Sequence, residues 1–227
     1  MSVLPSKKKI FVSELIRWGS VNRRDFPWRR TTNPFHVLVA EVMLQRTNAR
    51  QVEPAYHRFI DQYPSPKDLA EARLEDVAKD LQPLGLAYRA SRLKQMANII
   101  VAKLGGEVPS REEELLQLPG VGKYVASAVR CFAFEKDVPI VDANVLRVMK
   151  RVFSIKTPKE SHKKPEMWNL MAAMIPKKKA REFNLSILDF AGLICTSRNP
   201  VHETCPLRDI CDFYARINMH KRSRKSP

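Results

Sequence analysis

Apolar residues recur along this chain mainly every three to four positions, and almost no stretch alternates between apolar and polar residues. The first spacing places apolar side chains on one face of an α-helix, whereas alternation is typical of a strand. The pattern therefore predicts an all-α protein of about ten short helices. Nine of these segments are roughly 9–19, 48–62, 66–82, 88–104, 111–117, 122–134, 143–153, 165–174 and 180–194.

The tenth helix has the clearest start in the chain, at Asn33 and Pro34. Asn can cap the first amides of a helix, and Pro fits its first turn. The most apolar part of this helix, VLVAEVML, contains a single charged residue, Glu41. Apolar surroundings raise the pKa of a carboxyl group and suit it to donate a proton or a hydrogen bond. The alternative is a glutamate on the exposed face of an amphipathic helix.

The 227 residues include 40 Lys and Arg against 24 Asp and Glu, which gives a net charge of +16 at pH 7. Such an excess favours a polyanionic partner, and nucleic acid is preferred over a membrane because no basic amphipathic anchor is found. We also find neither a membrane-spanning apolar run nor a signal peptide, and so expect an intracellular protein with no membrane partner. Basic runs at 7–9, 29–30, 177–179 and 221–225 are expected to attract phosphate, and the terminal ones to be disordered.

A short segment, LPGVGKY at 118–124, separates two of the helical patterns. Pro119 ends the first helix, and the two glycines allow a tight turn and a close approach of the backbone to a ligand. Main-chain N–H groups at a helix start can hold a phosphate, which positions a protein on nucleic acid without reading its sequence. The alternative is a plain helix–helix turn. The candidate phosphate contacts are Gly120, Val121, Gly122 and Lys123.

Asp142 stands between the apolar segment 138–141 and a helix predicted to begin at 143. By position it is a helix N-cap. A carboxylate fixed at a helix start can also stabilise positive charge that develops in a reaction and can orient an attacking water. The two roles are compatible, so Asp142 is a candidate catalytic residue.

Three of the four cysteines crowd near the C-terminus, whereas Cys131 stands alone in an apolar helical pattern. In an intracellular chain, clustered cysteines suggest metal ligation rather than disulfides. Cys131 is expected to be a core thiol.

Four motifs, in this order, resemble those of the helix-hairpin-helix (HhH-GPD) base-excision DNA glycosylases, the endonuclease III and MutY superfamily. They are DFPWRRTTNPFHVLVAEVMLQRT, LPGVGKYVASAV, VDANVLRV and CTSRNPVHETCPLRDIC, and the resemblance extends over about residues 10–214. It implies two helical domains that flank a DNA-binding cleft. One comprises 27–138 with the hairpin, and the other 1–26 plus 139–227 with the C-terminal metal-cluster loop.

The resemblance also implies the chemistry of the site. The residue matching Asp142 is the essential carboxylate, and the one matching Glu41 contacts the excised base. Bifunctional members have a nucleophilic lysine at the position of Tyr124, and tyrosine cannot form a Schiff base. Lys123 is one residue away, about a quarter-turn around the helix. We therefore expect a glycosylase with little or no lyase activity.

Two further segments resemble residues that enter the gap left by a flipped base. Gln45 and Arg46 begin the turn after the helix that contains Glu41. Leu86 to Tyr88 match an opposing wedge, although their loop, at 85–93, is about one residue shorter than in relatives.

Relatives bind a [4Fe–4S] cluster through four cysteines spaced C-x6-C-x2-C-x5-C. This chain has the same spacing, but a histidine replaces the second cysteine of the motif. The candidate ligands are therefore Cys195, His202, Cys205 and Cys211. Imidazole can replace thiolate on iron, and three cysteines with one histidine also suit structural zinc. An iron–sulfur cluster is favoured, with zinc or loss of the metal as alternatives.

The base is inferred from finer similarities. Adenine glycosylases carry GLGYYxRARN and a long C-terminal domain, whereas this chain has GLAYRASRL and a short segment after Cys211. LQRT, GVGKY and DANV resemble Mig-type glycosylases, which remove thymine or uracil opposite guanine. We therefore expect hydrolysis of these bases from mismatched double-stranded DNA by a monomer, in the nucleoid of a prokaryotic cytoplasm. Adenine removal and a catalytically silent mismatch-binding module are the alternatives.

Overall fold

The structure, a computed structural model, describes residues 5–85, 87–156 and 160–223. Within these ranges the chain forms helices and turns and no strand, so the predicted all-α class is confirmed. None of the helices described there has the length and apolar character needed to cross a membrane.

Twelve α-helices are described. They are α1 (Pro5–Asn22), α2 (Pro34–Leu44), α3 (Ala49–Gln62), α4 (Pro66–Glu71), α5 (Leu74–Leu81), α6 (Ala87–Lys103), α7 (Glu112–Leu115), α8 (Lys123–Phe132), α9 (Ala143–Phe153), α10 (Pro165–Ala172), α11 (Ala180–Leu193) and α12 (Asp212–Ser223). Short 3₁₀ turns occur at Pro27–Arg29, Gln82–Leu84, Ser161–Lys163 and Arg208–Ile210.

The chain divides into two compact units. The central unit comprises residues 25–136, and the terminal unit comprises 1–24 together with 137–227. The central unit therefore contains α2 to α8, and the terminal unit contains α1 and α9 to α12.

Helix α2 is the core element of the central unit and packs against α3, α6 and α8. Its start follows from the sequence, because the side chain of Asn33 accepts hydrogen bonds from the amides of Phe35 (2.9 Å) and His36 (3.3 Å). Pro34 occupies the first turn, as predicted. Every α2 residue from Val37 to Met43 is buried, so this helix is surrounded by protein on all sides.

Helix α11 is the core element of the terminal unit and packs against α1 and α9. The contact with α1 is very close, because a Cβ added at Gly19 would lie 1.9 Å from Oγ of Ser186. Asp189 on α11 is fully buried and accepts from the backbone N (2.8 Å) and the Nε (2.7 Å) of Arg24. These hydrogen bonds compensate the loss of hydration of the carboxylate and hold the end of α1 on α11.

The single helix predicted over 66–82 is wrong, because the chain forms α4 and α5 with an extended residue, Ala72, after the first. Both helices pack against α6. In one continuous helix Leu69 and Leu81 would point about 120° apart. The break lets both side chains be buried, so packing against α6 overrides the local helical pattern.

The expected disorder of the terminal basic runs is wrong for the part that the structure describes. Lys7 to Lys9 belong to α1, and Lys7 Nζ lies 2.6 Å from a carboxylate oxygen of Asp212. Helix α12, which was not predicted, continues to Ser223 and packs against α9. In this contact the guanidinium of Arg151, on α9, lies 4.9 Å from the ring centroid of Phe213, on α12. The rest of the C-terminal basic run, at 224–225, lies outside the described residues.

Candidate active site

The glycine segment forms the turn between α7 and α8 in the central unit. Gly120 has φ of +81°, in the left-handed region that favours glycine. Gly122 is the N-cap of α8 and has an extended backbone, with φ of −99° and ψ of 179°. A Cβ at Gly122 would meet no other atom within 4 Å. The fold itself therefore does not require glycine at 122, whereas close approach of a ligand to the start of α8 would.

The residues predicted to contact phosphate are not equivalent in this turn. Gly120, Gly122 and Lys123 are exposed. Val121 is buried, and its amide donates to the carbonyl oxygen of Leu118 at 3.1 Å. Val121 thus stabilises the turn through its buried side chain and its amide. The other three predicted phosphate contacts, Gly120, Gly122 and Lys123, form the exposed surface of the turn.

The turn after α2 is joined to the glycine turn by a hydrogen bond. Gln45 is the C-cap of α2, and its Nε2 donates to the carbonyl oxygen of Gly120 at 3.0 Å. The next residue, Arg46, is exposed and has φ of +59°. A left-handed conformation costs a non-glycine residue about 1 kcal/mol or more, so surrounding contacts must maintain it. The structure therefore brings the predicted gap-filling residues Gln45 and Arg46 next to the hairpin.

Glu41 lies in the middle of α2 with 6% of its surface exposed. Burial raises its pKa from 4.5 to about 7, and the positive charge of Arg29 partly opposes that rise. At neutral pH the carboxyl group is thus protonated in a large fraction of molecules. A protonated carboxyl can donate a hydrogen bond, which an ordinary surface glutamate cannot do at this pH.

Tyr124 is the second residue of α8, which packs against α2. Its side chain is half-buried, whereas that of the preceding Lys123 is exposed. The central unit thus carries a phenol, and no amine, at the position that resembles the lysine of bifunctional enzymes.

Tyr88 lies in the first turn of α6 and is 55% exposed. Its ring is contacted by two guanidinium groups, Arg89 at 5.5 Å and Arg92 at 5.7 Å from the ring centroid. The other predicted wedge residue, Leu86, lies outside the described residues.

In the terminal unit, Asp142 is the N-cap of α9, as its position in the sequence predicts. One carboxylate oxygen accepts from the amide of Val145 at 2.7 Å, and the other accepts from Nδ2 of Asn144 at 2.9 Å. The side chain is half-buried. Both oxygens are thus oriented, and each keeps lone-pair capacity for a further partner.

A chain of hydrogen bonds continues from Asp142 to the C-terminal cysteines, all within the terminal unit. Oδ1 of Asn144 accepts from Arg147 at 2.7 Å. The same guanidinium donates to the carbonyl oxygen of Cys195 at 2.9 Å and to that of Ala191 at 2.8 Å. Neither Asn144 nor Arg147 was predicted as a site residue. The available signal was their spacing, since residues three apart on a helix are neighbours.

The four predicted metal ligands line one small cavity, which is otherwise mostly apolar. Burial raises the pKa of the Cys205 thiol to about 11 and also raises the pKa of Cys211. The neighbouring thiol Cys195 adds to both increases. The ring of His202 lies 5.0 Å from that of Tyr214 and 6.2 Å from that of Phe213, measured between centroids.

This donor set is chemically suited to an iron–sulfur cluster. The four residues line one mostly apolar cavity, and three thiols with one imidazole are suitable ligands for iron. The same four groups would also suit structural zinc.

Two family models match the chain. Residues 39–172 match the HhH-GPD superfamily of base excision DNA repair proteins, and residues 195–211 match the iron–sulfur binding domain of endonuclease III. The second match begins and ends at two of the predicted ligands, Cys195 and Cys211. It supports the expected iron–sulfur cluster over the zinc alternative.

Relatives match over most of the chain. A thymine/uracil-DNA glycosylase of Methanothermobacter thermautotrophicus is 37% identical over 93% of this chain and 96% of its own length. A thymine-DNA glycosylase of Aeropyrum pernix is 42% identical over 88% of this chain and 92% of its own. An adenine DNA glycosylase of Mus musculus is 35% identical, but the match spans only 42% of that protein.

A solved structure described as a thermostable thymine-DNA glycosylase has the same fold. It superposes with a TM-score of 0.89 at 37% identity, over 93% of this chain and 98% of the other.

Proposed function

This chain belongs to the HhH-GPD superfamily of base excision DNA repair proteins, and we propose that it is a monofunctional DNA glycosylase that removes thymine or uracil mispaired with guanine. The relatives whose names include thymine or uracil align with this chain over nearly their whole length, and this supports the choice of base. The observation that carries the proposed chemistry is the oriented carboxylate of Asp142 at the start of α9.

The proposed reaction is hydrolysis of the bond between C1′ of the deoxyribose and N1 of the pyrimidine. As that bond breaks, its electron pair leaves with the base and positive charge develops on the sugar. The Asp142 carboxylate stabilises this charge, and a water oxygen bonds to C1′ while the carboxylate accepts the water proton. The backbone amide of Val145 and the amide group of Asn144 keep the carboxylate oriented.

Glu41 acts on the base in this proposal. With a pKa of about 7, its carboxyl group can donate a hydrogen bond to a pyrimidine carbonyl oxygen. That bond strengthens as negative charge accumulates on the departing base, so it stabilises the transition state more than the bound substrate.

Tyr124 limits the reaction to base removal. A phenol cannot form the Schiff base through which a lysine would link the enzyme to the sugar. We therefore propose that the product is an unbroken strand with an abasic site, and that lyase activity is low or absent.

The DNA is held through its backbone in this proposal. The exposed residues Gly120, Gly122 and Lys123 contact phosphate, and the net charge of +16 makes binding dependent on salt. Gln45, Arg46 and Tyr88 occupy the gap that the flipped base leaves, which offsets lost stacking. The protein acts as a monomer on a mismatched duplex.

The iron–sulfur cluster is proposed to be of the four-iron type, held by Cys195, Cys205 and Cys211 with His202 as the fourth ligand. When bound, the cluster supplies a fixed structural centre for the C-terminal loop. Arg151 contributes to the same loop, because its guanidinium donates to the carbonyl oxygens of Thr196 (2.6 Å) and Ser197 (2.9 Å).

One experiment separates the candidate functions. Duplexes with a single G:T, G:U, A:G or A:oxidised-guanine pair are incubated with the protein, and half of each sample is then treated with alkali. We expect cleavage of the T or U strand only after alkali. Cleavage of the adenine strand would contradict the proposed base, cleavage without alkali would contradict the absence of lyase, and binding without cleavage would indicate a silent module.

A further inference from the structure

Arg89 on α6 is a buried cation whose hydrogen-bond partners are all neutral oxygens. It is 1% exposed and is the largest fully buried side chain in the described part of the chain. A cation out of water is unfavourable unless its donors are satisfied. The acceptors of the guanidinium are three backbone carbonyl oxygens and two hydroxyl groups.

Three of the acceptors belong to the end of α2. The guanidinium donates to the carbonyl oxygens of Met43 (2.8 Å), Val42 (3.2 Å) and Gln45. The last carbonyls of a helix have no partner within it and carry the negative end of the helix dipole. Arg89 thus adds, from another helix, side-chain hydrogen bonds to the carbonyl end of α2.

The same guanidinium also contacts the turn after α2. Its Nη1 lies 3.4 Å from Oγ1 of Thr47, so donors of one side chain reach both sides of Arg46. Arg46 has the left-handed backbone, with φ of +59°. Because Gln45 in turn donates to Gly120, fixing this turn also fixes the position of Gln45 against the hairpin.

The remaining donor of Arg89 reaches Tyr88. Its Nε donates to the Tyr88 hydroxyl at 3.3 Å, and the guanidinium lies over the Tyr88 ring. One buried side chain therefore contacts both exposed elements that we propose to enter the gap in the duplex, the turn at 45–47 and Tyr88.

We propose that Arg89 is a positioning residue for base flipping. It does not touch the DNA, and it acts by holding the 45–47 turn and the Tyr88 side chain in the arrangement that replaces the flipped base. This role rests on the proposed function. Arg89→Lys should impair it, because an ammonium keeps the charge but cannot direct donors to five oxygens at fixed angles.

Lys94→Met is the matched control for loss of a helix-terminal cap. Lys94 lies on the same helix, and its ammonium donates to the carbonyl oxygen of Ala70, in α4, at 2.6 Å. Both substitutions remove side-chain hydrogen bonds from α6 to carbonyl oxygens of a neighbouring helix, and of these two residues only Arg89 contacts the proposed gap-filling elements. A role in stability alone would affect both variants in proportion to their loss of Tm.

The test uses the full-length protein and a G:T duplex with 2-aminopurine beside the thymine. Fluorescence reports flipping, and single-turnover assays report excision. We expect Arg89→Lys to lower the excision rate constant at least tenfold and to reduce the fluorescence change, with Kd for fully paired DNA within twofold of wild type. Lys94→Met should excise within twofold of wild type. Flipping and excision by Arg89→Lys within twofold of wild type would overturn the role, as would equal losses in both variants.

A double substitution adds a second measurement. If Arg89 acts through the turn, Arg89→Lys combined with Gln45→Ala should be about as slow as the slower single variant, whereas multiplied effects would contradict that route. If the wild-type protein neither flips nor excises the base, the proposed function itself is refuted. If the wild type is active and Arg89→Lys is equally active, only the role of Arg89 is refuted.

Discussion

Replacing Glu41 with Gln should stabilise this protein at neutral pH while impairing its reaction. Burial raises the pKa of Glu41 from 4.5 to about 7. In the unfolded chain the group ionises near its ordinary pKa, so between these two values the folded state keeps a proton that the unfolded state has lost. The contribution of this group to stability is therefore complete below pH 4.5 and is lost as the pH rises to 7.

The size of the effect follows from the same two values. One pKa unit corresponds to about 1.4 kcal/mol, so a rise from 4.5 to about 7 corresponds to about 3 kcal/mol. The buried position, 6% exposed, leaves little solvent to screen this effect. Gln has a similar shape and does not ionise. Glu41→Gln should thus match the wild type near pH 4.5 and exceed its free energy of unfolding by about 3 kcal/mol above pH 7.

Denaturant unfolding at pH values from about 4.5 to 8.5 measures this difference. Glu107→Gln is the matched control, because Glu107 is exposed and its replacement should change stability by no more than about 0.5 kcal/mol. Single-turnover excision by the wild type should decrease as the pH rises through about 7, and Glu41→Gln should be slower with a flatter pH profile. A stability difference that does not change with pH would refute the assignment of the raised pKa to Glu41.

Asp142→Asn should lower the excision rate at least about a hundredfold with duplex binding retained, since an amide cannot stabilise positive charge on the sugar; an active variant would refute the catalytic role. Tyr124→Lys should give a covalent complex that borohydride traps, with wild type as the untrapped control, and failure to trap it would indicate that the new amine does not reach the sugar. Asn144→Ala should slow excision about tenfold with unchanged iron content, because it removes the orienting bond to Asp142 and a bond from Arg147 but none of the four proposed cluster ligands; a wild-type rate would show that the bond to Asp142 is dispensable. Metal analysis should find about four irons and four sulfides per chain and no zinc, and one zinc per chain would contradict the cluster.

Much of the local structure could be predicted from short-range physical rules. The start of α2 at Asn33 and the N-cap at Asp142 depend on a residue and its next few amides, so the sequence contains the necessary information. The break at Ala72 depends on α6, and α12 depends on packing against α9. Those features required knowledge of which helices become neighbours.

The candidate site also combines features that depend on local sequence with features that depend on tertiary contacts. The raised pKa of Glu41 was predicted because α2 is apolar around it in the sequence itself. Arg89 could not be identified this way, because an arginine in YRASRL has no local sign that it will be buried against the end of another helix. The link from Asp142 through Asn144 and Arg147 to Cys195 likewise joins segments that are distant in the chain.

The most direct test of the proposed function is to identify the base that leaves the DNA. The protein is incubated with a G:T duplex, free bases are quantified by mass spectrometry, and alkali-labile sites are counted in the same sample. We predict one free thymine per alkali-labile site, with both absent for Asp142→Asn. Release of adenine, strand cleavage without alkali, or no free base despite binding would contradict the proposed reaction.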